Sequence, residues 1–329
     1  MAGMQWVGVA LIAAMVGLWP LGGFLPLGAS TAQSAEEAVV PAEMPAHPAG
    51  VAEPDALVEE GFLDEVRERL AEAFRLDDFY AYSARRTDIK TNPFGRLGTG
   101  DVKLYDVYPS PTRGLTYRRL VATNDEPTSD EELTRQDREY HERAADIRRR
   151  LAEDAAEALL ATPEERADAD TRQAGQLERS RVRARAQIDD MVNAMQFSVE
   201  RREIFEDRPS IVVTFRPRPD ADPQTRRGDL ARKFAGTAWI DEAAREVRYV
   251  EATSVDSISF GLGLAARISD GAVATMRRAE VDDSVWLPTS VTLTGSGRAV
   301  LFLRGLSINY SREWFDYRPA DQVPLPGAP

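Results

Sequence analysis

Cysteine is absent from this sequence, and histidine occurs only at positions 47 and 141. The first absence excludes disulfides and a lipid-modified amino-terminal cysteine. The second leaves little for metal or triad chemistry, since His47 lies in a Pro-rich stretch and His141 stands beside Glu142 on a polar helical segment, neither at metal-ligand spacing. A phosphate loop is also missing. The closest run, GLGLAARISDG around Gly261, lacks both the GxGxxG spacing and the P-loop lysine. Carboxylate doublets at Asp189-Asp190 and Asp282-Asp283 do not form acid/base pairs: adjacent helical positions point different ways, and the second doublet reads as a hairpin turn. Positive charge is in deficit as well. The formal net charge of -13 argues against a nucleic-acid partner. These absences lead to the expectation of a protein that is not an enzyme and carries no metal or other cofactor.

Ordinary globular material is present: 43% hydrophobic and 29% charged residues over 329 positions, enough for a large core. The amino terminus is an uncharged apolar run, WVGVALIAAMVGLWP, followed by LGGFLPLGASTA and small-residue triplets at 30–34. Residues 1–32 therefore read as a cleaved signal peptide, with export to the periplasm. A retained membrane anchor is the alternative, because no Lys or Arg precedes the run and its length, roughly 20 residues, could span a bilayer. Residues 33–56, rich in Ala, Pro and Glu, read as a disordered tether. The tail, 319–329, is expected to be frayed and flexible.

Between them, 57–318 reads as one α+β domain. Leu57, Phe62, Val66, Leu70 and Phe74 recur at helical spacing and define an amphipathic helix. Three strand-like runs follow, FYAYSARRTDI, GDVKLYDVYPS and GLTYRRLVATN, punctuated by Gly, Pro and Asn. A long polar segment, 129–195, then interrupts them. Ser129 with Glu131 and Glu132 marks a helix start, and Thr162-Pro163 ends that helix and opens a second, so the segment reads as an inserted helical hairpin. Its seam is thin, with Asp137, Asp154 and Arg181 where a strong coiled coil would place Leu. It is either a solvated insertion braced at its base or a partner-binding arm. After Phe197 alternating runs resume, among them SIVVTFRP, GTAWID, REVRYVEA, SISFGLGLAARIS and SVTLTG. In all, about 10–11 antiparallel strands are expected, enough to curl into an incomplete barrel covered by helices.

An apolar wall along such a sheet could hold an acyl chain, each buried methylene contributing about 0.8 kcal/mol. In SISFGLGLAARIS, read as one strand, Ile258, Phe260, Leu262 and Leu264 share a face opposite small residues. Trp239, Trp286, Leu301 and Leu303 could extend that wall, or all eight could simply fill a core. Arg119, Arg202 and Arg278, one from each basic doublet, either meet a head group or pair with neighbouring carboxylates.

The runs YDVYPSPTRGLTYRRLVATNDEPTSDEE, RREIFEDRPSIVVTFRPRPD, KFAGTAWIDEAAREVRYVEA and VWLPTSVTLTGSGRAVLFLRGLSINYSREWFDYR resemble bacterial exported proteins of the LolA-like group, related to outer-membrane lipoprotein-sorting carriers. The resemblance spans about 57–317 apart from the helical hairpin. It implies an incomplete barrel over helices and an apolar cavity that shelters the acyl chains of a lipid or lipidated protein. The hairpin and a length beyond that of a minimal carrier depart from the group, as does the lack of the lipid anchor of its outer-membrane receptor relatives. A second functional expectation is an envelope interaction or sensor module that uses the hairpin to bind a protein partner.

Overall fold

The computed structural model describes residues 58, 61–76, 79–91, 97–110, 112, 114–160, 162, 171, 175, 186, 189–191, 193–260, 266–298 and 305–327. The expected signal peptide and tether, and most of the second arm of the hairpin, lie outside these residues. Among the described residues no helix is long and apolar enough to cross a membrane.

The fold is a curved antiparallel sheet that forms an incomplete barrel and carries helices. Its strands are β1 (Tyr80–Thr91), β2 (Leu97–Tyr108), β3 (Tyr117–Thr123), β4 (Glu126–Pro127), β5 (Met195–Phe205), β6 (Arg208–Pro217), β7 (Phe234–Asp241), β8 (Glu246–Ser254), β9 (Ile258–Phe260), β10 (Ala266–Ile268), β11 (Val273–Asp282), β12 (Val285–Arg298) and β13 (Gly305–Pro319). Eleven follow one path, β4-β3-β2-β1-β13-β12-β11-β8-β7-β6-β5, whose ends do not meet. The crossover places the last strand beside the first, so the chain's two sheet segments fuse through the β1–β13 ladder. Among the described residues the helices with defined bounds are α1 (Phe62–Leu76), α2 (Asp130–Leu160) and α3 (Arg226–Ala231), and 189–191 and 193 are also helical.

Turn chemistry explains the hairpins. Glu206-Asp207 and Asn124-Asp125 both adopt positive φ at two successive residues, the twist that two-residue hairpins demand. The turn of WIDEAARE is held differently: Asp241 Oδ1 accepts from the backbone N–H of Ala243 and Ala244 at 3.0 and 2.8 Å, and Arg245 takes φ +59° to rejoin β8. Arg245 then reaches α1, pairing with Glu65 at 3.2 Å and lying 4.5 Å over the Phe62 ring.

The main core lies on one face of the sheet, called here the inner face. Phe62, Leu63 and Val66 of α1 pack there with Met191 and Met195 and with inward residues of β5, β6, β7, β8, β11 and β12. Gly236 on β7 is required by close packing, since a Cβ there would meet the Phe215 ring at 2.8 Å and the Glu251 carbonyl oxygen at 2.1 Å. Asp190 is a structural clamp: it accepts from the N–H groups of Gln224 and Thr225 and from the Thr225 hydroxyl, and Thr225 in turn caps α3.

α2 lies on the opposite, outer face. Ser129 opens it as expected, its Oγ accepting from Glu132 N at 3.3 Å. Tyr140 and Ala144 of α2 are buried with Leu115 and Tyr117, joined by Ile147 and Leu325. Two expectations are corrected here. The run SISFGLGLAARIS is not one strand; β9 and β10 pair with each other antiparallel, Ile258 opposite Ile268, and β10 joins β12. Nor is the carboxy-terminal segment frayed over its described part: 320–322 form a 3-10 turn, Leu325 packs under α2, and the Pro326 carbonyl lies 2.9 Å from His141 Nε2.

Candidate ligand-binding face

One cross-strand row shows how the inner face changes along the sheet. From β5 it runs Val199, Val213, Ala238, Val250, Met276 and Val291, each paired in register with the next. It then continues Arg312, Arg86 and Lys103 through β13, β1 and β2. Paired residues project to the same side, so one face passes from six apolar residues to three cations.

Two residues along from those cations the same face is aromatic. Tyr105, Ala84 and Trp314 are in register across β2, β1 and β13, and Val107 stands opposite Tyr82. Ala84, Val107 and Trp314 are buried, with Tyr82, Tyr105, Val291 and Tyr317 packed against them. Val291 belongs to the margin of both this cluster and the main core, which makes the apolar surface continuous from β5 to β2. The arginines lie on the aromatic rings: Arg312 is 4.5 Å from the centre of Trp314 and Arg86 is 5.9 Å from Tyr105. Tyr82 and Tyr317 pack at 5.5 Å, and the Tyr317 hydroxyl donates to the Pro288 carbonyl at 2.6 Å. The result is an aromatic wall bordered by guanidinium and ammonium groups. Such a wall can hold an apolar chain while its cationic border meets an anionic group.

The residues singled out from the sequence are distributed differently. Ile258 is buried in the main core, and Trp286 is buried beneath the Arg208 guanidinium, 5.2 Å away. Trp239 does not share their wall. Its strand neighbours Ala238 and Ile240 point into the core, so Trp239 takes the outer face, where its indole N–H donates to Glu203 and its ring stacks with Phe205 and Tyr249. Phe260 belongs to β9, but its side chain, like all of Leu262, Leu264, Leu301 and Leu303, lies outside the described residues. The three basic candidates have carboxylate partners. Arg119 makes a two-pronged contact with Asp137 at 2.9 Å on each arm, Arg202 pairs with Glu242 at 2.5 Å, and Arg278 is buried with Glu246 at 2.7 Å while donating to the Trp286 carbonyl.

The sequence carries a local signal for this face. Tyr82, Ala84 and Arg86, and likewise Arg312 and Trp314, are two residues apart on runs of strand-like alternation. What alternation could not supply was the β1–β13 pairing that brings Trp314 beside Ala84, because those residues are remote in the chain.

Asp137 is the chief charged residue that gained a role. Burial alone would raise its carboxyl, yet hydrogen bonds from Arg119 and from the Tyr117 hydroxyl, 2.6 Å away, hold it below the usual carboxylate range. Burial, and then the hydrogen bond to Asp137 and that carboxylate's charge, push the Tyr117 phenol well above its ordinary value, against an opposing pull from Arg119. Among the described residues no group of three His, Cys, Asp or Glu is arranged to hold a metal ion.

No family model matches the chain. No curated protein matches it either. Among solved structures, it is similar to the crystal structure of a DUF1329 family protein from Desulfovibrio piger, at 8% identity over 79% of this chain and 94% of that one, with a TM-score of 0.27.

Proposed function

We propose that this is a non-enzymatic, exported binding protein of the LolA-like kind, which holds an acyl chain of a lipid or lipidated protein against the inner face of its incomplete barrel. The observation that carries this reading is the continuous apolar surface that ends in the Tyr105–Ala84–Trp314 row beside Arg312, Arg86 and Lys103. An acyl chain needs only apolar area, which the partly buried Tyr82, Tyr105 and Tyr317 offer over the buried Trp314; an anionic head group needs a cationic border, which the adjacent row offers. The uncharged amino-terminal run supports a periplasmic address for such a task.

Extraction of the purified protein and mass spectrometry of its lipid content tests the reading. Anionic lipid is expected with the wild type, and about tenfold less with Arg312→Glu, which reverses one charge of the border. A protein free of lipid that also fails to take up anionic lipid from vesicles overturns the proposal.

One observation favours a second reading, an envelope interaction module. Residues 151–157 of α2 are all exposed, including Leu151 at 48%. A photo-crosslinking residue at position 151 that captures one envelope protein, with capture lost when a neighbouring Ala155→Glu is added, supports that reading. Absence of any specific adduct rejects it.

A further inference from the structure

A cavity of about 300 Å³ opens on the outer face, between α2, the connection from β2 to β3 and the segment after β13. Its volume is at the small end of the range for small-molecule sites, roughly 300–1,000 Å³, too small for a two-chain lipid. Tyr108, Leu115 and Tyr140 form one side, Val323 and Leu325 the other, with Arg148 among the lining residues. The aromatic side is rigid. Tyr117 stacks between Tyr108 and Tyr140 at 5.9 and 4.3 Å, and the Tyr140 hydroxyl donates to the Leu115 carbonyl at 3.0 Å. The other side is held by the contact between His141 and Pro326.

One charged side chain, Arg148, is among the lining residues of the cavity. Arg149, the next residue on α2, is engaged by Asp146 and Glu153, whereas Arg148 makes no ion pair among the described residues. Arg318 likewise has none among them. It stands in register with Ala81, which also lines the cavity, and its charge reaches the Tyr108 hydroxyl along with those of Asp106, Arg119 and Asp137. A pocket of mixed polar and apolar lining, with Arg148 at its wall and Arg318 nearby, neither ion-paired among the described residues, is matched by a small amphiphile with one negative charge.

We propose that this cavity is a second ligand site, distinct from the inner face, that binds a small amphiphilic carboxylate, with its chain between Tyr140 and Leu325 and its carboxylate at Arg148. Octanoate is a suitable probe, with octanol and octyltrimethylammonium as neutral and cationic counterparts. Isothermal titration of the purified protein is expected to show saturable one-to-one binding of octanoate, weaker binding of octanol and none of the cation. Arg148→Ala is expected to weaken octanoate about tenfold or more, as loss of a charged hydrogen bond does. Arg148 is exposed on a helix, where alanine keeps the fold. Arg318→Ala is expected to weaken binding by a smaller factor. Arg312→Glu, on the opposite face, is expected to leave octanoate affinity unchanged, which separates this site from the inner-face reading. Absence of saturable octanoate binding overturns the proposal. So does binding that ignores both arginine substitutions, matches that of the cation, or is lost in Arg312→Glu.

Discussion

Gly236 and Asp137 show how single residues set this structure. At Gly236 the backbone of β8 and the ring of Phe215 occupy the space of any side chain. Gly236→Ala should therefore destabilise the fold by about 1–3 kcal/mol, as overpacking does in close-packed cores. Urea denaturation measures it; an unchanged midpoint would refute the close approach. Asp137 was legible in the sequence only as a flaw in a helical seam. Its meaning comes from Tyr117 and Arg119 on β3, which helix periodicity cannot see. Because its carboxyl is held below its ordinary value, the stability it contributes is present above the unfolded carboxylate pKa and is lost as pH falls through the lower, folded one. Asp137→Asn should cost about 1–3 kcal/mol at neutral pH. Denaturation at neutral and at acidic pH should show the gap between wild type and variant narrowing in acid. A gap that is constant with pH contradicts the assignment.

At the scale of elements, the strand ladder, the helix starting at Ser129 and the charged turn after Trp239 were all readable, because alternation, capping and turn residues are local. The long-range pairings were not. Nothing near Trp314 says that it lies beside Ala84, and nothing in QVPLPGAP says that Leu325 packs under α2. The same blindness affected Trp239: alternation puts it opposite Ala238 and Ile240, but which side of the strand is core depends on where α1 docks. α2 itself has two unlike halves. Its first half buries Tyr140 and Ala144, while 151–157 are exposed. Hydrogen exchange should thus be slow near Tyr140 and fast beyond Leu151. Ending the chain at Pro319 removes Leu325 and the His141 contact, and should speed exchange around Tyr140 as well. Unchanged exchange there would mean that the carboxy-terminal segment does not brace the helix.

The whole molecule is a sheet with two differently dressed faces. The inner one is covered by α1 over β5–β8, β11 and β12, then continues into an aromatic wall with a cationic border. The outer one carries α2, the carboxy-terminal segment and the Phe205–Trp239–Tyr249 stack. The sequence showed that such a sheet exists and that its chemistry is sparse; the placement of the wall required the register of strands from both ends of the chain. The most direct test is photo-crosslinking with a phospholipid that carries a photoactivatable acyl chain, followed by mass spectrometry of the labelled peptides. Phe315 on the outer side of β13 serves as the internal control for the inward Trp314, its chain neighbour. The account expects labels on Tyr105 and Trp314, reduced by competing unlabelled lipid. Labels confined to Phe315 and other outer residues, or none that lipid competes away, would contradict it.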